Sequence, residues 1–156
     1  MVSEIETCPV CAVPEAGEFL AEYTAWLWGC GATAIRIEKN VWRMAEAFGL
    51  EVAVALLPRH IELTLRACGT GERTVVIRKM AACGISFDIN TRLSRLSWEV
   101  ADRKIGFHEA CRRFDLIKET KPTAWWETLL LASLANASFC RLFGGDAVAM
   151  AVVFTA

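Results

Sequence analysis

The chain has 156 residues, 54% of them hydrophobic, and a formal net charge of −1; its mean hydropathy is positive. That length suffices for one domain with a real core, and the apolar share exceeds that of an ordinary soluble domain. Near-neutral charge without a basic block or an aromatic-plus-basic stripe argues against nucleic acid as a partner, and the acidic start MVSEIETCPVCAVPEAGEF has no apolar run of a secretory signal.

Residues 1–15 read as a flexible leader. They contain Cys8-Pro-Val-Cys11, the one tempting metal-ligand pair, but a zinc site needs a second pair at suitable spacing, and His60 and His108 are isolated. No metal or other cofactor is expected. The seven cysteines, odd in number and irregular in spacing, suit reduced thiols in the cytosol.

A cytoplasmic α+β domain is predicted over residues 16–120. Pro14 and Glu15 open a helix in which Phe19, Leu20, Tyr23, Trp26 and Leu27 recur at helical spacing, and Gly29-Cys30-Gly31 ends it. A second helix runs from Thr33 to Phe48, with Ile35, Val41, Trp42 and Ala45 on or near one face and Gly49 as its stop. So short a turn makes the pair a helical hairpin.

Three strands follow, Glu51–Leu57, His60–Ala67 and Arg73–Met80, separated by Pro58-Arg59 and by Cys68–Glu72. In the second, Ile61, Leu63 and Leu65 alternate with Glu62, Thr64 and Arg66, the pattern of a half-buried antiparallel strand. In the third, Val75 and Ile77 alternate with Thr74, Val76 and Arg78, which leaves its polarity undecided. A three-stranded antiparallel meander packed on the hairpin is the economical arrangement. Asp88 or Asn90 is expected to cap a third helix that runs to Ala101 with Leu93, Leu96 and Val100 inward, and Gly106 to break it. The fourth, Phe107–Lys118, turns Phe107, Ala110, Phe114 and Ile117 to the core.

After Pro122 the chain becomes TAWWETLLLASLANASFCRLFGGDAVAMAVVFTA. Ala124–Phe143 has the length of a membrane helix, with Glu127 and Arg141 near its ends, Trp125 and Trp126 as an interfacial belt, and Arg112, Arg113, Lys118 and Lys121 on the cytoplasmic flank. Residues 124–156 then read as a first membrane helix and the incomplete start of a second, so that the chain is expected to be part of a longer one. A buried core helix of a soluble domain is the alternative, because the uninterrupted apolar run is short. Asn136 lies mid-run, where an amide needs another helix or a wet path beside it; Gly144-Gly145-Asp146 needs glycine freedom, and Asp146 can cap the next helix.

The order G-x-x-L (Gly17, Leu20), G-x-x-A-x-R-x-E (Gly31, Ala34, Arg36, Glu38), A-x-x-x-G-L (Ala45, Gly49, Leu50), GISFDIN (Gly84–Asn90) and FCRLFGGD (Phe139–Asp146) resembles the N-terminal portion of the threonine/serine exporter family of bacterial inner-membrane proteins. The resemblance covers nearly the whole chain from Ala16. It implies a cytoplasmic domain followed by a multi-pass helical membrane bundle, secondary export of amino acids or small organic acids, and partners in the form of further helices on a longer chain or a smaller subunit, as an oligomer. It marks Gly31, Arg36, Glu38 and Asp88 in the cytoplasmic domain, with Arg36 meeting a carboxylate such as Asp88; solvated surface roles are the alternative for Arg36 and Glu38. It also takes in Gly144, Gly145 and Asp146; together with Asn136, singled out by its place in the apolar run, these are expected in the substrate pathway or in helix packing. The family's acidic residue after the alanine is absent from Gly29–Ala34. No nucleophile, base and orienting acid form a catalytic pattern, so an enzyme is not expected. The runner-up is a soluble α+β ligand-binding or regulatory domain whose hydrophobic C-terminal helix packs in a core or an oligomer interface.

Overall fold

The first helix, α1 (Val13–Gly29), is apolar on nearly every side: Ala16, Phe19, Leu20, Ala21, Tyr23, Ala25 and Leu27 are all buried. A helix of that kind belongs at the centre of a fold. The computed structural model, which describes residues 13–120 and 125–155, places it there. Cys8, Cys11, Lys121, Pro122 and Ala124 lie outside the described residues, as does the side chain of Trp125. The helix begins inside the expected leader, at Val13.

Around α1 stand α2 (Ala34–Ala47), a sheet of β1 (Leu50–Leu56), β2 (His60–Ala67) and β3 (Arg73–Lys79), then α3 (Phe87–Ala101) and α4 (Phe107–Lys118). The strands form the expected antiparallel meander in the order β1-β2-β3. Its register aligns Val54, Leu63 and Val76, and beside them Val52 with Leu65, on the face toward the helices. The close approach of α1 to that face explains Gly17, since a Cβ there would meet Leu65 Cδ1 at 2.8 Å. Val76 is the buried residue of β3, whereas Val75 and Ile77 point outward, 55% and 63% exposed. Arg78 shares the inner face and pairs with Glu18 of α1.

One helix face and one helix cap differ from the sequence reading. On α2 the buried stripe is Ile37, Asn40, Val41, Met44 and Ala45, spaced i, i+3, i+4, i+7, i+8, whereas Ile35 and Trp42 are 67% and 56% exposed. Asn40 occupies a stripe position, so a search for apolar residues alone rotates the face. Ser86, not Asp88 or Asn90, caps α3: its Oγ accepts from Ile89 N at 3.3 Å. That helix ends at Ala101, with Arg103 at φ 54°, and Gly106 is the N-cap of α4 rather than the break in α3. α4 joins the core through aromatic contacts: Phe114 lies 5.7 Å from Phe19, 6.0 Å from Tyr23 and 6.4 Å from Trp26, and Phe107 lies 5.5 Å from Phe19.

The chain divides into two compact units, Met1–Thr120 and Lys121–Ala156. In the second, α5 (Trp125–Leu142) and α6 (Ala147–Thr155) pack on one another. Cys140, Arg141 and Gly144-Gly145 form the closing turn, with Gly144 N donating to Arg141 O and Gly145 N to Cys140 O, and Gly144 has φ +87°. Asp146 caps α6 as expected, its Oδ1 accepting from Ala149 N at 2.8 Å.

Among the described residues no helix is long and apolar enough to cross a membrane; the expected span over Ala124–Phe143 begins outside those residues. The helix stops at Leu142 because the Gly144 turn closes it, and its 18 residues rise about 27 Å against a hydrocarbon core of about 30 Å. Glu127, Ser133, Asn136, Ser138 and Arg141 dilute its apolar character. The nine residues of α6 are fewer still.

Candidate functional site

Two of the motifs meet at the end of α1. The α1–α2 turn is closed by Gly31 N donating to Trp28 O and Ala32 N to Leu27 O, with Gly31 at φ +86°, a left-handed position that an L side chain resists. Ser86 N, within the stretch Gly84–Asn90, donates to Cys30 O at 3.1 Å and fastens the start of α3 beside that turn. Ile85 lies over Gly31, where a Cβ would approach it to 3.3 Å.

From this anchor α2 and α3 run side by side, and their seam is polar. Arg36 Nη1 donates to Asn90 Oδ1 at 3.2 Å. One turn on, Asn40 Oδ1 accepts from Arg43 Nη1 at 3.0 Å and from Ser97 Oγ at 3.2 Å, while its Nδ2 donates to Ser94 Oγ at 3.1 Å. Arg43 Nη1 also reaches Ser97 Oγ at 2.8 Å, and its guanidinium stacks 3.6 Å above the Trp98 ring. Asn40, Asn90 and Ser97 are buried, and below them Tyr23 donates its hydroxyl proton to Leu93 O at 2.8 Å. Among the described residues no buried side-chain nitrogen or oxygen lacks a partner, so the network is fully satisfied and rigid.

Beside the network lies an open groove of about 560 Å³ whose wall includes Arg36, Thr91, Ser94, Arg95, Trp98 and Asp102. A second, more apolar groove of about 580 Å³ lies between α2 and β1, lined by Ile35, Glu38, Trp42, Val52 and Val54.

The marked residues are therefore distributed. Gly31 shapes the turn and Arg36 crosses to α3, but its partner there is Asn90, not the expected Asp88; Asp88 pairs with Arg92 of its own helix at 2.9 Å. Glu38 belongs to the second groove. Asn136 is exposed on α5, and Gly144, Gly145 and Asp146 form the turn and cap already described. Asn40, Arg43, Ser94, Ser97 and Trp98 went unmarked. Their signal was the polar residue at a core-spaced position, Asn40 on α2 and Ser97 on α3.

His60 and His108 are both exposed. Among the described residues no three of His, Cys, Asp and Glu are grouped to hold a metal ion. Burial, with Cys83 beside it, pushes the Cys30 thiol up to about 11, and burial raises the Tyr23 hydroxyl as well. Both stay neutral when folded and ionise more readily when unfolded. The stability they contribute is complete below the ordinary thiol value of 9.0 and is lost as pH rises through the folded values. Denaturant midpoints are expected to be level from neutral pH to about 9 and to fall beyond it, and a midpoint unchanged at pH 10.5 would contradict this.

On the exposed side of α4, Arg112 and Arg113 hold the Glu109 carboxyl down to about 2. Arg113 also pairs with Glu99, which ties α3 to α4.

Residues 18–156 match the model of the family ThrE, described as "Putative threonine/serine exporter". No curated protein and no solved structure matches the chain. The family is one of exporters, not of enzymes. Since the match runs from the first turns of α1 through α6 and takes in both the α1–α2 turn and the start of α3 that docks on it, the chain belongs to the threonine/serine exporter family.

Proposed function

We propose that this chain contributes to secondary export of amino acids such as threonine and serine, or of small organic acids, across a bacterial inner membrane. In this reading the first unit is cytoplasmic. The second unit belongs to a multi-pass helical bundle completed by further helices on a longer chain or a smaller partner subunit, in an oligomer. The family match over residues 18–156 carries the proposal.

The surface of the second unit supports it. Leu129, Leu131, Leu134, Phe139, Leu142 and Phe143 of the α5–α6 hairpin are between 49% and 85% exposed, whereas among its described residues the buried hydrophobic one is the small Ala137. An apolar surface of that extent calls for lipid or for other helices. Polar Asn136 on such a helix suits a contact with a neighbouring helix or a water-filled path.

A soluble α+β ligand-binding domain, its apolar helices in an oligomer interface, is the second reading; the short α5 favours it. Fractionation separates the two. Expressed in bacteria, the chain is expected to sediment with membranes, to resist carbonate and to be released by detergent, whereas recovery as a monodisperse soluble protein would favour the alternative. In a complete family member, loss of threonine efflux on replacing the residue equivalent to Asn136 by leucine, with insertion intact, would assign the amide to the pathway. Unchanged efflux and assembly would remove that role.

A further inference from the structure

We propose that the groove between α2 and α3 binds a small molecule bearing a carboxylate, anchored by Arg36. The proposal goes beyond export and rests on the first unit alone, so binding and transport can succeed or fail separately.

The argument starts from charge. Among the described residues, Arg66, Arg78, Arg92, Arg95, Arg112 and Arg113 each pair with a carboxylate. Arg36, Arg43, Arg59, Arg73, Arg103 and Arg141 do not appear in these pairs; of them, Arg36 and Arg43 are held by neutral side chains, Arg36 by the amide of Asn90 and Arg43 by Asn40 and Ser97. A buried amide aims a guanidinium without neutralising it, and the bond from Asn90 engages only Nη1 of Arg36. The Nε–Nη2 edge is left for a ligand, and that edge matches the two oxygens of a carboxylate.

The surroundings fit. Ser94, which receives a bond from Asn40 Nδ2, lines the groove with its hydroxyl, whereas the neighbouring Thr91 hydroxyl donates to Phe87 O of its own helix. Trp98 adds an apolar surface that remains 55% exposed, braced by Arg43 at 3.6 Å. The acids at the far end do not cancel Arg36, since Glu99 is engaged by Arg95 and Arg113, and Asp102 by Lys104. A volume of about 560 Å³ lies in the range that small-molecule sites occupy. Arg43, seven positions on, is committed to Asn40, Ser97 and the Trp98 ring. One guanidinium edge with a hydroxyl and an aromatic wall therefore selects a carboxylate over inorganic phosphate.

The test is calorimetric titration of the full 156-residue chain in detergent with L-threonine, acetate and inorganic phosphate. Saturable binding of L-threonine or acetate is expected, weakened about tenfold or more by Arg36→Gln, which corresponds to about 1.4 kcal/mol. Arg141→Gln, in the second unit, is expected to leave the affinity unchanged. If Arg36→Gln melts early, Arg36→Lys supplies the test: it keeps the charge without the two-pronged edge and should still weaken binding measurably. L-Threonine binding without acetate binding would add an ammonium contact to the carboxylate site. The proposal is overturned by no saturable binding of either carboxylate, by equal affinity in folded Arg36 variants, or by phosphate binding in preference to both.

Discussion

Replacing Phe114 by alanine is expected to lower the melting temperature of the chain by roughly 10 °C or more, the largest effect of any single truncation considered for α4. The ring is 2% exposed and meets Phe19, Tyr23 and Trp26 edge-on, so one side chain joins α4 to three turns of α1. Its removal forfeits the transfer free energy and leaves a cavity among rigid aromatic neighbours that cannot collapse to fill it. Such truncations cost about 3–5 kcal/mol. Lys118, whose ammonium lies 4.8 Å from the ring centre, loses its aromatic surface too but keeps Glu22 and Asp115. Thermal unfolding followed by near-ultraviolet circular dichroism measures the change. A shift of only a few degrees would mean that α4 is an accessory to the core and not part of it.

The second large effect is expected at Asn40. Leucine has the same branched skeleton of heavy atoms and a better helix propensity, so a purely apolar view of the α2 stripe predicts stabilisation. The network predicts the reverse. Asn40 is 3% exposed, and its oxygen is the acceptor for both Arg43 and Ser97. Leucine would leave a guanidinium and two hydroxyls without their shared partner inside the seam, at about 1–3 kcal/mol for each group that finds no substitute.

Asn40→Asp keeps the acceptor oxygen and puts a second one in place of the amide nitrogen, and Ser94 can turn its hydroxyl to donate in place of receiving. The expected order of denaturant midpoints is therefore wild type, then Asn40→Asp, then Asn40→Leu, with the leucine variant lower by about 2–4 kcal/mol in all. A leucine variant as stable as the wild type would show that the seam holds by apolar contact and that its polar groups are solvated without cost.

The two predictions lie on different levels of legibility. Phe114 belongs to a stripe, Phe107, Ala110 and Phe114, that helical spacing identifies directly, and the same holds for Leu93, Leu96 and Val100 on α3. The alternation of Ile61, Leu63 and Leu65 likewise announced the buried face of β2, and the short turns announced a meander. Asn40 escaped because hydropathy registers it as surface. Only its position between Ile37, Val41 and Met44 hints that it is inside.

Local rules also explain what could be read of the second unit and what could not. The Gly144 turn and the Asp146 cap depend on residues within a few positions of one another, and both formed as the sequence implies. The end of α5 depended on where that turn bites, and this set it at Leu142.

The sequence by itself determined the helices and strands, the antiparallel order of the sheet, and membership of the exporter family, since periodicity, turn chemistry and motif order are properties of neighbours along the chain. Tertiary structure alone decided that α1 is the central helix and that Arg36 takes Asn90 and not Asp88. It also decided that Asn40, Arg43, Ser94 and Ser97 close one network across a separation of 54 residues. The reason is geometric. Asp88 and Asn90 are equally near Arg36 in sequence terms, but two helical positions turn a side chain by about 200°, so when α3 packs on α2 one faces the seam and the other turns away to Arg92.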